Sequence, residues 1–335
     1  MTHPASTPIP PEWAPHRAVW LAWPAHPELW GEALPEVQET VRRLAHYLAE
    51  LPGSERIEMV VRDAGARAQA AAALAGLDHR LHELPYGDIW LRDTAPIFRG
   101  ASRGAVAFTF DGWGGKYRLP GDAELAVGIA GRAGEALQRD PLVLEGGAVD
   151  GDGEGTVLTT RQCALNPNRN PGLGEAEVEA RIASLLGARK VIWLDEGLSG
   201  DHTDGHVDNL ARFVAPARVA CGRPAPGDPN TAVLEAIIEA LRAERDAEGR
   251  SLEPVLLPSP GLVPDEEGAP SPATHLNFLV GNRRVVVPTF GGASDAEAIE
   301  ILADCFPGRE VVGLDARVLL PGGGAIHCIS QQEPA

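Results

Sequence analysis

An α/β fold is what this 335-residue sequence predicts. Segments with helical periodicity alternate with short β-branched runs, and no long polar linker or low-complexity tract divides them. The 44% hydrophobic content is enough for a sizeable core, and we read residues 1–335 as one domain. The clearest helix carries Leu34, Val37, Val41, Leu44, Leu48 and Leu51 in steps of three and four, a single apolar stripe. A short Ala-rich helix is expected near 65–76, then helices over 122–138, 174–186, 229–247 and 294–306. Glu175, Glu177 and Glu179 open the second of these four, and Ser294 with Glu297 three residues on forms a capping pattern. Between them lie strand-like runs at 57–61, 106–110, 142–144, 157–160, 191–194, 210–214, 255–257, 285–287 and 311–314. The Pro-rich stretches 222–229 and 258–272 read as surface loops.

Charge and cysteine content bound the function. Twenty-nine Lys and Arg against 47 Asp and Glu leave a net charge of -18, which repels nucleic acid and anionic membranes and favours a cationic small molecule. Cys163, Cys221, Cys305 and Cys328 are too few and too scattered for a disulfide framework. With no basic-then-apolar leader at Met1–Ser6 and no 18-residue apolar run, the expected location is the cytoplasm.

The chemistry sits in a few short motifs. In Gly322-Gly323-Gly324-Ala325-Ile326-His327-Cys328, a flexible glycine run precedes a thiol, as a nucleophile approached closely would require. Gly205-His206-Val207-Asp208, if extended, puts His206 and Asp208 on one strand face, a base beside a carboxylate. Extended Asp88–Asp93 would present Asp88, Trp90 and Arg92 on one face and Asp93 on the other; a carboxylate there can grip a cation while the indole packs on it. Glu145 ends an apolar run before Gly146-Gly147. The acidic Asp150–Gly155 is not a calcium loop, since Arg161 would fall at its twelfth position. Asp201–Asp208, with two histidines and three carboxylates, is the densest set of metal ligands and keeps a dinuclear guanidine hydrolase as an alternative, although no second dense cluster supports it. In that reading His202 and Asp204 otherwise shape the loop; Cys163, Cys221 and Cys305 behave as small hydrophobes. Asp93, Glu145, His206 and Cys328 each follow or end a strand, and the last interval is about twice the others. A repeat of roughly 50–70 residues about a common axis would gather them, with one contribution still hidden.

Taken in order, Pro11–His16, Trp20–Pro24, Asp88–Asp93, Gly112–Tyr117, Glu145–Gly147, Leu165–Pro171, Gly205–Asn209 and Gly322–Gln332 closely resemble the agmatine deiminase and bacterial peptidylarginine deiminase family. The resemblance implies the pentein fold, a five-bladed α/β propeller of pseudo-repeated ββαβ units. It also implies Cys328 as nucleophile, His206 as general acid and base, Asp93 and Asp208 as guanidinium-binding carboxylates, Glu145 as the partner orienting His206, and Asn277 as the fourth unit's contribution. Neither metal nor organic cofactor is expected. The acidic chain and the aromatic faces of Trp90 and Trp113 favour agmatine over arginine or peptidyl-arginine, because Gly114, Gly115 and Tyr117 offer no cation for an α-carboxylate; Lys116 and Arg118 are the nearby cations. Ala95, Asp111, Thr274-His275 and Ala325 depart from the family's usual residues and can reshape the pocket. A catalytically silent guanidine binder on this fold is a further alternative, and a homodimer is the expected assembly.

Overall fold

The computed structural model describes residues 7–100 and 104–335. Its strands form five small sheets. In four of them a short hairpin is followed by a crossover helix and a third strand parallel to the second. The second sheet is Ile97–Phe98, Ala105–Thr109 and Leu137–Val143, and the third is Asp150–Gly151, Thr156–Thr160 and Lys190–Leu194. The fourth is Ala211–Ala215, Arg218–Arg223 and Glu253–Pro258, and the fifth is Leu279–Val280, Arg284–Thr289 and Glu310–Asp315. The first has four strands: His16–Ala22 lies parallel to Arg56–Val61, which lies parallel to His79–Glu83, while Ser330–Pro334 returns antiparallel on His16–Ala22. This is the ββαβ repeat expected from the sequence, with the first unit completed by a strand from the far end of the chain.

Six helices of ten or more residues occur among the described residues. Helix Leu34–Ala49 forms because its stripe buries Val37, Val41, Leu44 and Leu48 against Ile57, Met59 and Val60 of the first sheet and Val286 of the fifth. Truncating one such Leu to Ala removes about 2–5 kcal/mol. Helix Ala64–Ala73 is capped by Asp63, which accepts from the Ala66 amide at 2.9 Å. The others are Asp122–Ala133, Glu175–Leu186, Thr231–Ala243 and Ser294–Cys305.

Three local expectations are corrected. The helix expected over 122–138 stops at Ala133, because Gly134 adopts the left-handed conformation (φ 74°) and the chain turns into strand Leu137–Val143. Ser294 is the first helical residue and not the cap, a place taken by Ala293 without a side-chain bond. Strands His79–Glu83 and Ser330–Pro334 are too polar to show strand periodicity; the second is held by partners, with Glu333 accepting from the Trp20 indole at 2.7 Å.

His275 is buried with Nδ1 unpartnered and Nε2 3.0 Å from Asp295. Burial pushes its pKa down to about 4, Asp295 only partly opposing. The unfolded chain, with His near 6.5, therefore binds the proton more readily, so stability rises as pH increases from about 4 to 6.5 and is lost on acidification. Acid melts should show His275→Tyr less sensitive than wild type, by on the order of 2–3 kcal/mol across that window; parallel curves would refute this.

Candidate active site

Each sheet's third strand leads into a loop that delivers one polar residue to a shared point. Asp93 follows the first sheet, Glu145 the second, His206 the third, Asn277 the fourth and Cys328 the fifth. Asn277 is the member that halves the long interval between His206 and Cys328. The Cys328 sulfur lies 3.1 Å from Asn277 Nδ2 and 3.6 Å from Asp208 Oδ2, while Asn277 Oδ1 accepts from the amides of His327 (2.9 Å) and Cys328 (3.2 Å). The glycine run before it permits close approach: a methyl group on Gly322 or Gly324 would stand 2.4 or 2.7 Å from the Trp90 indole.

Asp93 accepts from the Trp113 indole at 2.8 Å and from the Gly147 amide at 3.0 Å. His206 is fully buried, with Nδ1 3.7 Å from Asp93 and Nε2 3.5 Å from Glu145, and neither ring nitrogen makes a hydrogen bond. Burial disfavours the charged ring, but Asp93, Cys163 and Glu145 outweigh it and raise the pKa well above the usual histidine value. Burial also works against the Glu145 carboxylate; the His206 ring 3.5 Å away and the guanidinium of Arg169, at 2.9 and 3.1 Å from its two oxygens, still hold it below the usual range. Burial, Asp208 and Asp93 together push the Cys328 thiol well up, so the site without a cation favours the protonated sulfur.

Behind Asp208 runs a buried chain of charges that the sequence reading did not assign. His327 places Nδ1 2.8 Å from Asp208 and Nε2 2.8 Å from Glu12. Glu12 in turn pairs with Arg212, whose Nε donates to Asp150 at 3.0 Å and whose guanidinium sits 4.5 Å over the Phe278 ring. Burial opposes the Asp208 carboxylate, but His327, His206 and Arg212 prevail and keep it ionised below the usual range. Glu12 and His327 stand inside recognisable motifs, yet no spacing joins residues 315 apart; Arg212 looks from sequence like an ordinary strand residue.

Several sequence expectations change. Leu91–Thr94 is a helical turn, not a strand: Asp88 accepts from the Trp30 and Trp90 indoles (2.9 and 2.8 Å), while Arg92 points away to Gln332. Val207–Asn209 is likewise a 3-10 turn, so His206 and Asp208 share no strand face. They meet instead beside Gly147, where a methyl group would stand 2.6 Å from His206 Nδ1, 3.1 Å from Asp93 and 3.2 Å from Asp208. Among the described residues, the histidines and carboxylates of Asp201–Asp208 do not converge on one point. His202 stacks on Tyr117, and Asp204 pairs with Lys116 and Arg169. Cys163 is not inert packing, since it joins Glu145 and His206 in a buried group whose ligand atoms lie within 4.8 Å of one another.

A cavity of about 370 Å³ opens over Cys328 and Asp93 between Trp30, Trp90 and Trp113. Asp88 and Glu266 also line it; no Lys or Arg does among the described residues. A smaller cavity of about 160 Å³ lies on the other side of Asp93, under helix Asp122–Ala133, and does not reach Cys328. Because Gly147 forms the wall between three of the site's polar atoms, Gly147→Ala should lower kcat/KM by about 10²-fold or more through displaced His206 and carboxylates; near-normal kinetics would contradict that geometry.

The model of the Porphyromonas-type peptidyl-arginine deiminase family matches residues 8–334. The chain belongs to this family. Among its relatives, a Streptomyces coelicolor protein provisionally named agmatine deiminase is 40% identical over 337 residues, covering 97% of this chain and 98% of the other. The solved agmatine deiminase of Enterococcus faecalis is 31% identical with a TM-score of 0.89, covering 98% and 95% of the two chains. A Campylobacter jejuni agmatine deiminase carrying a cysteine-to-serine substitution, solved with substrate bound, is 26% identical with a TM-score of 0.90 and covers 100% and 98%. The five-sheet pentein architecture expected of a Porphyromonas-type deiminase is thus shared along the whole chain, and no helix among its described residues is long and apolar enough to cross a membrane.

Proposed function

We propose that this chain, as one catalytic domain, hydrolyses agmatine to N-carbamoylputrescine and ammonia through a thiouronium on Cys328. The observation that carries the reading is a sulfur flanked by Asp208 and reached through a cavity that carries Asp93, further carboxylates and, among the described residues, no Lys or Arg. A planar guanidinium held by Asp93 and Asp208 exposes its central carbon to that sulfur. Its charge offsets the two carboxylates that otherwise disfavour the thiolate. The thiolate adds to the carbon; His206 gives a proton to one nitrogen, the C–N bond breaks and ammonia leaves. Water, losing a proton to His206, then attacks the thiouronium; the C–S bond breaks as thiolate leaves, the remaining hydroxyl proton passes to solvent, and a neutral ureido group remains, which the carboxylates no longer grip. Glu145 orients His206 in this scheme.

The other end of the substrate selects the substrate. An α-carboxylate would meet no cation in the cavity, since Lys116 is held 2.5 Å from Asp204, whereas an amine meets tryptophan faces and acidic groups. The same reading gives a cytoplasmic homodimer acting towards putrescine without metal or organic cofactor. The test is ammonia release from agmatine, arginine and a peptidyl-arginine after chelator treatment. Agmatine should be turned over fastest; preference for either arginine form would overturn the substrate, and dependence on added metal the mechanism.

A further inference from the structure

We propose that Glu145, Cys163 and His206 form an inhibitory site for a divalent transition metal of zinc's class. These three residues offer carboxylate, thiol and imidazole, the mixed donor set that zinc accepts. The Glu145 oxygen lies 3.5 Å from His206 Nε2 and 3.9 Å from the Cys163 sulfur. Tetrahedral zinc with ordinary bond lengths would set the first edge at about 3.3–3.5 Å and the second at about 3.5–3.7 Å, so small side-chain shifts suffice. A second observation points the same way: both ring nitrogens of the fully buried His206 lack a hydrogen-bond partner, although such groups are normally satisfied. The proposed reaction leaves Cys163 without a role.

Binding would form S–metal and N–metal bonds, with any proton on the Cys163 sulfur or on His206 Nε2 released to solvent. A metal on Nε2 occupies the nitrogen that must carry a proton in the imidazolium, so His206 could no longer pass protons and turnover would stop. Arg169 remains on Glu145, and its charge weakens the affinity. The site is therefore one that fills and empties with metal concentration, not a permanent centre.

The effect on turnover rests on the proposed role of His206; the occupancy of the site does not, and cobalt(II) reads it directly. Metal-free wild type and Cys328→Ala should both develop a sulfur-to-cobalt charge-transfer band, and Cys163→Ser, which keeps the shape of the site, should not. Zinc should inhibit wild type reversibly, with chelator restoring activity. Its inhibition constant should rise by about tenfold or more in Cys163→Ser, each protein being compared with its own metal-free rate. A band lost in Cys328→Ala and kept in Cys163→Ser would put the ion on the nucleophile and overturn the proposal. Absence of any band in wild type, or equal zinc inhibition in both proteins, would do the same.

Discussion

Cys328→Ala should abolish agmatine turnover, by about 10⁴-fold or more, while leaving the guanidine grip in place. In the proposed mechanism the sulfur alone forms the covalent bond, and the other nearby thiol, Cys163, lies behind Glu145, 3.9 Å from its carboxylate. The loss falls on kcat. Calorimetric affinity for agmatine should persist, because Asp93 keeps Trp113 and Gly147, and Asp208 keeps His327 and Asn277. The fold should hold as well, one small buried atom having been removed at a cost near 1 kcal/mol. A variant retaining a tenth of the rate would refute the nucleophile, and one that lost agmatine binding would refute the division between grip and attack.

Arg212→Met should be the most damaging single change to stability. Arg212 is fully buried and serves Glu12, Asp150 and the carbonyls of Leu276 and Phe278. Methionine approximates its volume, so little cavity is made; the cost comes from two buried carboxylates left without their cation, about 3–5 kcal/mol. For a chain of this size that is a melting drop of about 4–7 °C. The half-exposed Arg161, paired with Glu175 and Asp195 at 2.7 and 2.8 Å, is the control, and Arg161→Met should cost less than about 1 kcal/mol. Because Glu12 and His327 link Arg212 to Asp208, surviving Arg212→Met should also show a raised KM for agmatine. Equal melting temperatures for the two variants would rule this account out.

What the sequence made legible follows from the range of its physical signals. The stripe of Leu34–Leu48 and the β-branched runs announce themselves because their periodicity is local. Strand Ser330–Pro334 does not, since its burial depends on the Trp20 indole some 300 residues away. Asp93, Glu145, His206 and Cys328 stood out as polar residues at the ends of apolar runs, and the structure brings them together. The backbone reasoning for two of them was wrong, because strand alternation was assumed where tight helical turns occur. Glu12, Arg169, Arg212 and His327 were missed altogether. A buried ion pair has no sequence period, and its partners are chosen by topology.

The seam of the first sheet has a consequence for how the molecule is made. Asp93, Glu145, His206 and Asn277 leave the ribosome in that order, each on the sheet it belongs to. Cys328 emerges after all of them, only two residues before the strand that must find His16–Ala22. The reactive sulfur and its fastening thus arrive together, after the other four groups. A nascent chain displays acidic grips for a cation long before it can form a covalent bond, and stays chemically silent until its earliest and latest strands have paired.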